Sequence, residues 1–310
     1  MTDTQHPPPE AATAPGRARY RLPLAPRTLL VAAVLVLAVL ATLGVLPLAR
    51  LLDVDPRHLQ GAGFRPTVRI LAIVALYAAS QFLLIWLAMR LVHRRPFASL
   101  GFVGPVIRPL LVGTAAGAAI KVAEILLHVL AGRNATLGWS VPAEVPALTV
   151  AGHFLLWLLF LLTLNSVKEE LVFRAYPIEQ FNDRPRAALW VIVGVSLVFA
   201  AVHHVIEPFR LSAFLSRFVT ALVFAYVYYR WRSIWLVSGF HNGANLPGFL
   251  LCGRWRTGGL FELDYDAAAP AVRMAGDVLV YLAALGVIHW VWRRGQARRS
   301  PSAGAREGAS

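Results

Sequence analysis

Long apolar runs alternate with short breaks rich in arginine, proline and glycine along most of this chain. A helical run of about 20 apolar residues matches the hydrocarbon core of a bilayer. On that measure the pattern predicts eight spanning helices, at 28–49, 69–92, 107–131, 147–180, 187–205, 211–230, 233–252 and 272–293. The expected fold class is therefore all-α, a polytopic membrane helix bundle. The fourth segment is long for one crossing and is expected to tilt, protrude or break near Asn165-Ser166. Residues 1–26 and 294–310 are polar, biased in composition and expected to be disordered tails. Between them, 27–293 reads as one transmembrane domain whose polar motifs fall in 147–250. The run Leu29 to Ala49 is too long for a signal-peptide core and right for a span.

Composition agrees with a membrane class: 57% of residues are hydrophobic and the mean hydropathy is +0.60. The net charge of +14 invites a nucleic-acid reading, but the arginines gather at the ends of apolar runs, where they anchor and orient a membrane protein. With the N-terminus inside, cytoplasmic segments hold 19 basic residues and the opposite segments 9. That bias predicts both termini on the cytoplasmic side, with lipid and not nucleic acid as the surrounding partner, and abundant Arg and Ala with the simple helical plan are compatible with a bacterial plasma membrane. Trp86, Trp231, Trp235, Trp290 and Trp292 fall near predicted span ends, as interfacial aromatics do. Only Lys121 and Lys168 are lysines among the 30 basic residues. Cys252 is alone, so neither an intrachain disulfide nor a thiolate metal cluster is available.

Three polar clusters interrupt the apolar runs: Glu169-Glu170-x-x-x-Arg174, Phe199-x-x-x-His203 and His241-x-x-x-Asn245. Ionisable groups at membrane depth are costly and tend to be functional. Glu170 and Arg174 are four apart and can pair on one helix face, whereas Glu169 shares a face with Asn165. Glu170 is therefore assigned to a supporting pair and Glu169 to the chemistry. His241 and Asn245 also project from one face and can hold a developing oxyanion. The bland readings are a charged helix end for the first cluster, an interfacial histidine for His203, and interhelical hydrogen bonding for His241 and Asn245. At about 1.5 Å per residue the four groups spread over roughly 14 Å of depth, so convergence is left open. Lys121 with Glu124, and Arg273 with Asp277, are expected to neutralise each other, His128 shares the face of the first pair, and His153 and His289 are expected in helix contacts or near an interface.

In order and approximate spacing, Glu169-Glu170-Leu-Val-Phe-Arg174, Phe199-x-x-x-His203 and His241-x-x-x-Asn245 resemble the CPBP (CAAX protease and bacteriocin-processing, or Abi) intramembrane proteases. That family includes the type II CAAX prenyl endopeptidases. Three motifs in order on separate spans make the match specific, and it covers about residues 147 to 250. Ala175 stands where the family often has glycine. The resemblance implies an intramembrane endopeptidase acting on a membrane-associated or lipidated protein or peptide. Glu169 and His203 would activate water, His241 and Asn245 would stabilise the oxyanion, and Glu170 and Arg174 would support them. The family has been described both as metal-independent and as metalloproteases, so zinc held by Glu169, His203 and His241 is a second option.

Two rivals belong to other classes. One is a non-catalytic immunity or scaffold protein, which conservative swaps of Glu169 and His203 would leave working. The other is a proton-coupled transporter relaying through Lys121, Glu124, Glu169 and His203, against which the lack of an internal repeat counts.

Overall fold

The computed structural model describes residues 23–51, 68–205, 208–252, 259–266 and 268–299. The chain is an all-α membrane bundle with one small two-stranded sheet among the described residues. Helix α1 covers Leu24–Leu51 and α2 covers Val68–Leu87, continued by a π segment to His93. Then follow α3 (Ile107–Ala131), strand β1 (Arg133–Trp139), α4 (residues 147–180), α5 (Pro185–Val202), α6 (Leu211–Trp231), α7 (Ile234–Cys252), strand β2 (Phe261–Asp266) and α8 (Pro270–Arg299). Each of the eight expected segments has its helix. Among the described residues six are long and apolar enough to cross a bilayer, namely α1, α2, α3, α5, α6 and α8. The other two, α4, which π segments divide into shorter pieces, and α7 carry two of the three polar clusters.

Three details depart from expectation. No break occurs at Asn165-Ser166: Thr163–Glu170 is regular α-helix, flanked by π segments at Trp157–Leu162 and Leu171–Ala175. Each π turn fits an extra residue into the helix and swings the following side chains round the axis. α8 runs on to Arg299, so 294–299 is helical, not tail. The expected disorder of 1–22 and 300–310 lies outside the described residues. Finally, β1 and β2 pair antiparallel, with Thr136 opposite Asp264 and Trp139 opposite Phe261. This pairing brings the α3–α4 and α7–α8 connections to one end of the bundle.

The other end is organised by buried arginine. Arg27, at the start of α1, donates to the Gln180 carbonyl at 3.0 Å and to Asp183 Oδ1 at 2.6 Å, both at the α4–α5 turn. It is buried, although by sequence it counts only as a topological charge. Arg232, between α6 and α7, donates from Nε to Glu179 Oε1 at 2.7 Å on the same turn. Gly101 packs there as well: its φ is +88°, and a Cβ would stand 2.7 Å from the Arg232 carbonyl oxygen, so only glycine fits. Leu171, Ala175, Tyr176 and Ile178 of α4 form the centre of the core, covered by Ile85, Met89, Phe224, Tyr228 and Val237. Outward faces carry exposed Leu, Val and Trp, such as Leu111, Trp190, Leu282 and Val287, as a lipid-facing surface requires.

α3 and α7 meet backbone to backbone. Gly113 and Gly117 of α3 interlock with Gly239 and Gly243 of α7, each spaced four residues apart, the small-residue pattern that lets membrane helices approach closely. A Cβ at Gly243 would lie 2.0 Å from the Thr114 carbonyl oxygen, and one at Gly117 would lie 2.1 Å from that of Phe240. Neither carbonyl can yield without moving its helix. Gly243→Ala should therefore lower stability by roughly 1–3 kcal/mol or more, read as a fall in the thermal midpoint of the purified protein. An unchanged midpoint would show that the helices can separate freely here.

Candidate active site

Glu169 and Glu170 end the regular α-helical stretch of α4, just before its second π segment, and they point in different directions as adjacent helical residues must. Glu170 is 0% exposed, and so is Arg174, which donates from Nη1 to Glu170 Oε1 at 3.1 Å. This pair is the one expected from the spacing. The guanidinium also lies over the rings of Phe199 at 4.2 Å and Phe224 at 5.4 Å, which partly make up for its lost water.

The same carboxylate oxygen has a second partner. His241 of α7 donates from Nδ1 to Glu170 Oε1 at 2.7 Å. The ring is thereby fixed, with Nε2 turned toward Glu169 Oε2 at 3.8 Å. Phe224 stacks beside it, with ring centroids 5.1 Å apart. Arg174, Glu170, His241 and Glu169 thus form a continuous chain of charge and hydrogen bonds across α4 and α7.

Glu169 is held by its own helix. Asn165 donates from Nδ2 to Glu169 Oε1 at 2.8 Å, as their shared face predicts. Lys168 lies 3.8 Å from the same oxygen, donates to Asn165 Oδ1 at 2.7 Å and packs on the Tyr77 ring. Lys168, Tyr77 and Phe224 are neighbours that sequence reasoning missed. One signal was present: the only two lysines, 121 and 168, both line this cavity.

His203 sits where α5 ends and a short 3-10 turn, His203–Val205, begins. Its Nδ1 donates to the Phe199 carbonyl at 2.8 Å, so a neutral ring carries its acceptor at Nε2. His204 turns away toward Phe209 and Phe214. Asn245 follows His241 by one turn of α7, while the intervening Asn242 donates to Thr163 Oγ1 at 3.2 Å and ties α7 to α4. Glu169, His203, His241 and Asn245 all line one cavity of about 560 Å³, walled by α2 to α8. The four residues that the sequence spread over some depth thus share the lining of one cavity. Glu170 stays behind the wall.

Of the remaining expectations, one resolves differently. Lys121 does pair with Glu124, but Asp277 is bonded to His128 of α3 at 2.7 Å instead of to Arg273. His289 contacts Tyr226 between α8 and α6. The ligand atoms of Glu169, His203 and His241 do not all lie within 4.8 Å of one another, although His241, with Nδ1 on Glu170, turns Nε2 to within 3.8 Å of Glu169 Oε2.

Over residues 151–247 the chain matches the family model described as "Type II CAAX prenyl endopeptidase Rce1-like". No curated protein matches it. The matched stretch, about a third of the chain, spans all three polar clusters, from the first turns of α4 to the end of the Asn245 turn of α7, and this similarity supports assignment to the CPBP, or CAAX protease, family.

Proposed function

We propose that this protein is an intramembrane endopeptidase in which Glu169 is the general base and His241 with Asn245 forms the oxyanion site. The observation that carries this reading is the meeting of Glu169, His203, His241 and Asn245 around one cavity inside an apolar bundle. Glu169 takes a proton from water, which His203 helps to place through its Nε2. The resulting hydroxide attacks the scissile carbonyl carbon. As the carbonyl π bond opens, the oxygen takes the negative charge and accepts hydrogen bonds from Asn245 Nδ2 and from His241 Nε2 in its imidazolium form. Collapse then breaks the C–N bond, and the leaving amine takes the proton held by Glu169. No step requires a metal.

Glu170 and Arg174 act behind this set. Their link to His241 Nδ1 fixes the ring so that Nε2 is the atom presented to Glu169 and the cavity. The lipid-facing surroundings favour a substrate that is itself membrane-associated, with a lipidated peptide as the natural case. The arginine bias favours both termini on the cytoplasmic side, and the Arg- and Ala-rich composition is compatible with a bacterial plasma membrane.

The test is peptide-terminus proteomics on membranes carrying the wild-type protein or Glu169→Gln at matched abundance. New termini confined to the wild type are expected, and the same peptides should be cut by purified protein. Identical terminus profiles across several growth conditions would favour a non-catalytic membrane partner instead.

A further inference from the structure

A second polar cluster faces the same cavity from α3 and α8. Glu124 and His128 are four residues apart and share a face of α3, while Asp277 meets them from α8. One ligand atom from each residue lies within 4.8 Å of the other two, and among the described residues this is the trio so gathered. His128 Nε2 and Asp277 Oδ1 are already 2.7 Å apart. Glu124 is 6% exposed and Asp277 9%, so two carboxylates are nearly enclosed here.

Both carboxylates already have partners. Lys121 pairs with one oxygen of Glu124, Tyr281 bonds to the same residue, and an imidazole serves Asp277. Arg273, one turn before Asp277, leaves the aspartate to His128 and keeps its Nε buried without a partner. Arg210 and Arg217 line the same cavity, so a cation here would be held by its ligand bonds and not by an excess of negative charge.

We propose that Glu124, His128 and Asp277 bind one divalent transition-metal cation of the zinc type in the cavity wall. One imidazole nitrogen with two carboxylate oxygens suits such an ion, whereas magnesium prefers oxygen ligands alone. Ligand bonds of about 2.0–2.2 Å require the three side chains to close inward slightly. Glu124 has a second oxygen to offer, so Lys121 can stay on the first. His128 Nε2 must give its lone pair to the ion, so a proton there leaves to solvent and the bond to Asp277 is replaced by two metal bonds. Three protein ligands leave a fourth position for a water or a substrate oxygen, and the ion ties α3 to α8. The assignment is independent of which residues hydrolyse the peptide.

The experiment uses full-length protein in detergent, stripped by chelator, equilibrated with Zn²⁺ alone and dialysed. Elemental analysis should find one ion per chain, and added Zn²⁺ should raise the thermal midpoint. Asp277→Asn and His128→Gln should each weaken Zn²⁺ binding roughly tenfold or more, while Glu169→Gln leaves it unchanged. A wild-type protein that retains no ion overturns the site, and that reading needs no variant to fold. So does undiminished binding in both variants. Loss of the ion in Glu169→Gln with retention in Asp277→Asn overturns it too, by moving the metal to the other side of the cavity.

Discussion

Glu169→Gln should abolish peptide-bond cleavage while leaving the folded bundle intact. The amide keeps the size and the oxygen of the carboxylate, so Asn165 Nδ2 retains its acceptor. Lys168 loses a charge at 3.8 Å but keeps its bond to Asn165 and its place over Tyr77. Glu169 is 19% exposed but Lys168 only 3%, so a modest loss of stability is expected, smaller than that at the fully buried Glu170–Arg174 pair. What disappears is the group that takes the proton from water, a loss of about 10²–10⁴ in rate. Initial cleavage rate and thermal midpoint, measured on the same preparation, separate chemistry from folding. Full activity in this variant would sink the mechanism.

Glu170→Gln should damage both properties. Its Oε1 takes Arg174 and His241 together, and the guanidinium and the carboxylate are 0% exposed. Removing the negative charge leaves a buried cation without its counter-ion, at a cost of about 3 kcal/mol or more. Phe199 and Phe224 soften the loss but cannot replace a charge. A glutamine amide can also turn either its oxygen or its nitrogen to His241 Nδ1, so the ring loses its fixed orientation. A lower thermal midpoint with a lower cleavage rate is the expected pair of results. An unchanged midpoint refutes the supporting role. Set beside Glu169→Gln, the two adjacent carboxylates should be distinguishable by stability alone.

Interactions within one helix are legible in the sequence, because four-residue spacing puts side chains on one face. Asn165 with Glu169 and Glu170 with Arg174 follow from that spacing alone. Glu170 with His241 does not, since the two are 71 positions apart and nothing local fixes how α7 is rotated against α4. The same limit explains Asp277, which spacing assigns to Arg273 on its own helix and which His128 takes from another. Arg27 is legible as a charge near a membrane surface but not as the clamp on the α4–α5 turn, because its partners come from the far half of the chain. The β1–β2 pair does leave a trace: Phe261, Leu263 and Tyr265 alternate with acidic residues, the period of a strand. Length hides it, since seven and six residues between long apolar helices read as loop. The π segments of α4 have no such trace, as an extra residue in a helix leaves its apolar run unbroken.

The glycine contact between α3 and α7 also says where a substrate does not enter. Carbonyl oxygens of one helix stand where the other has no side chain at all, so there is no slit between them for a peptide or a lipid tail to slide through. β1 and β2 bridge the connections that leave these same two helices, fastening their ends like a hasp. That flank of the bundle is a closed seam. A chain arriving sideways from the bilayer must find its doorway elsewhere around the ring, and His241 and Asn245, fixed to the seam, wait for it as stationary features of the far wall.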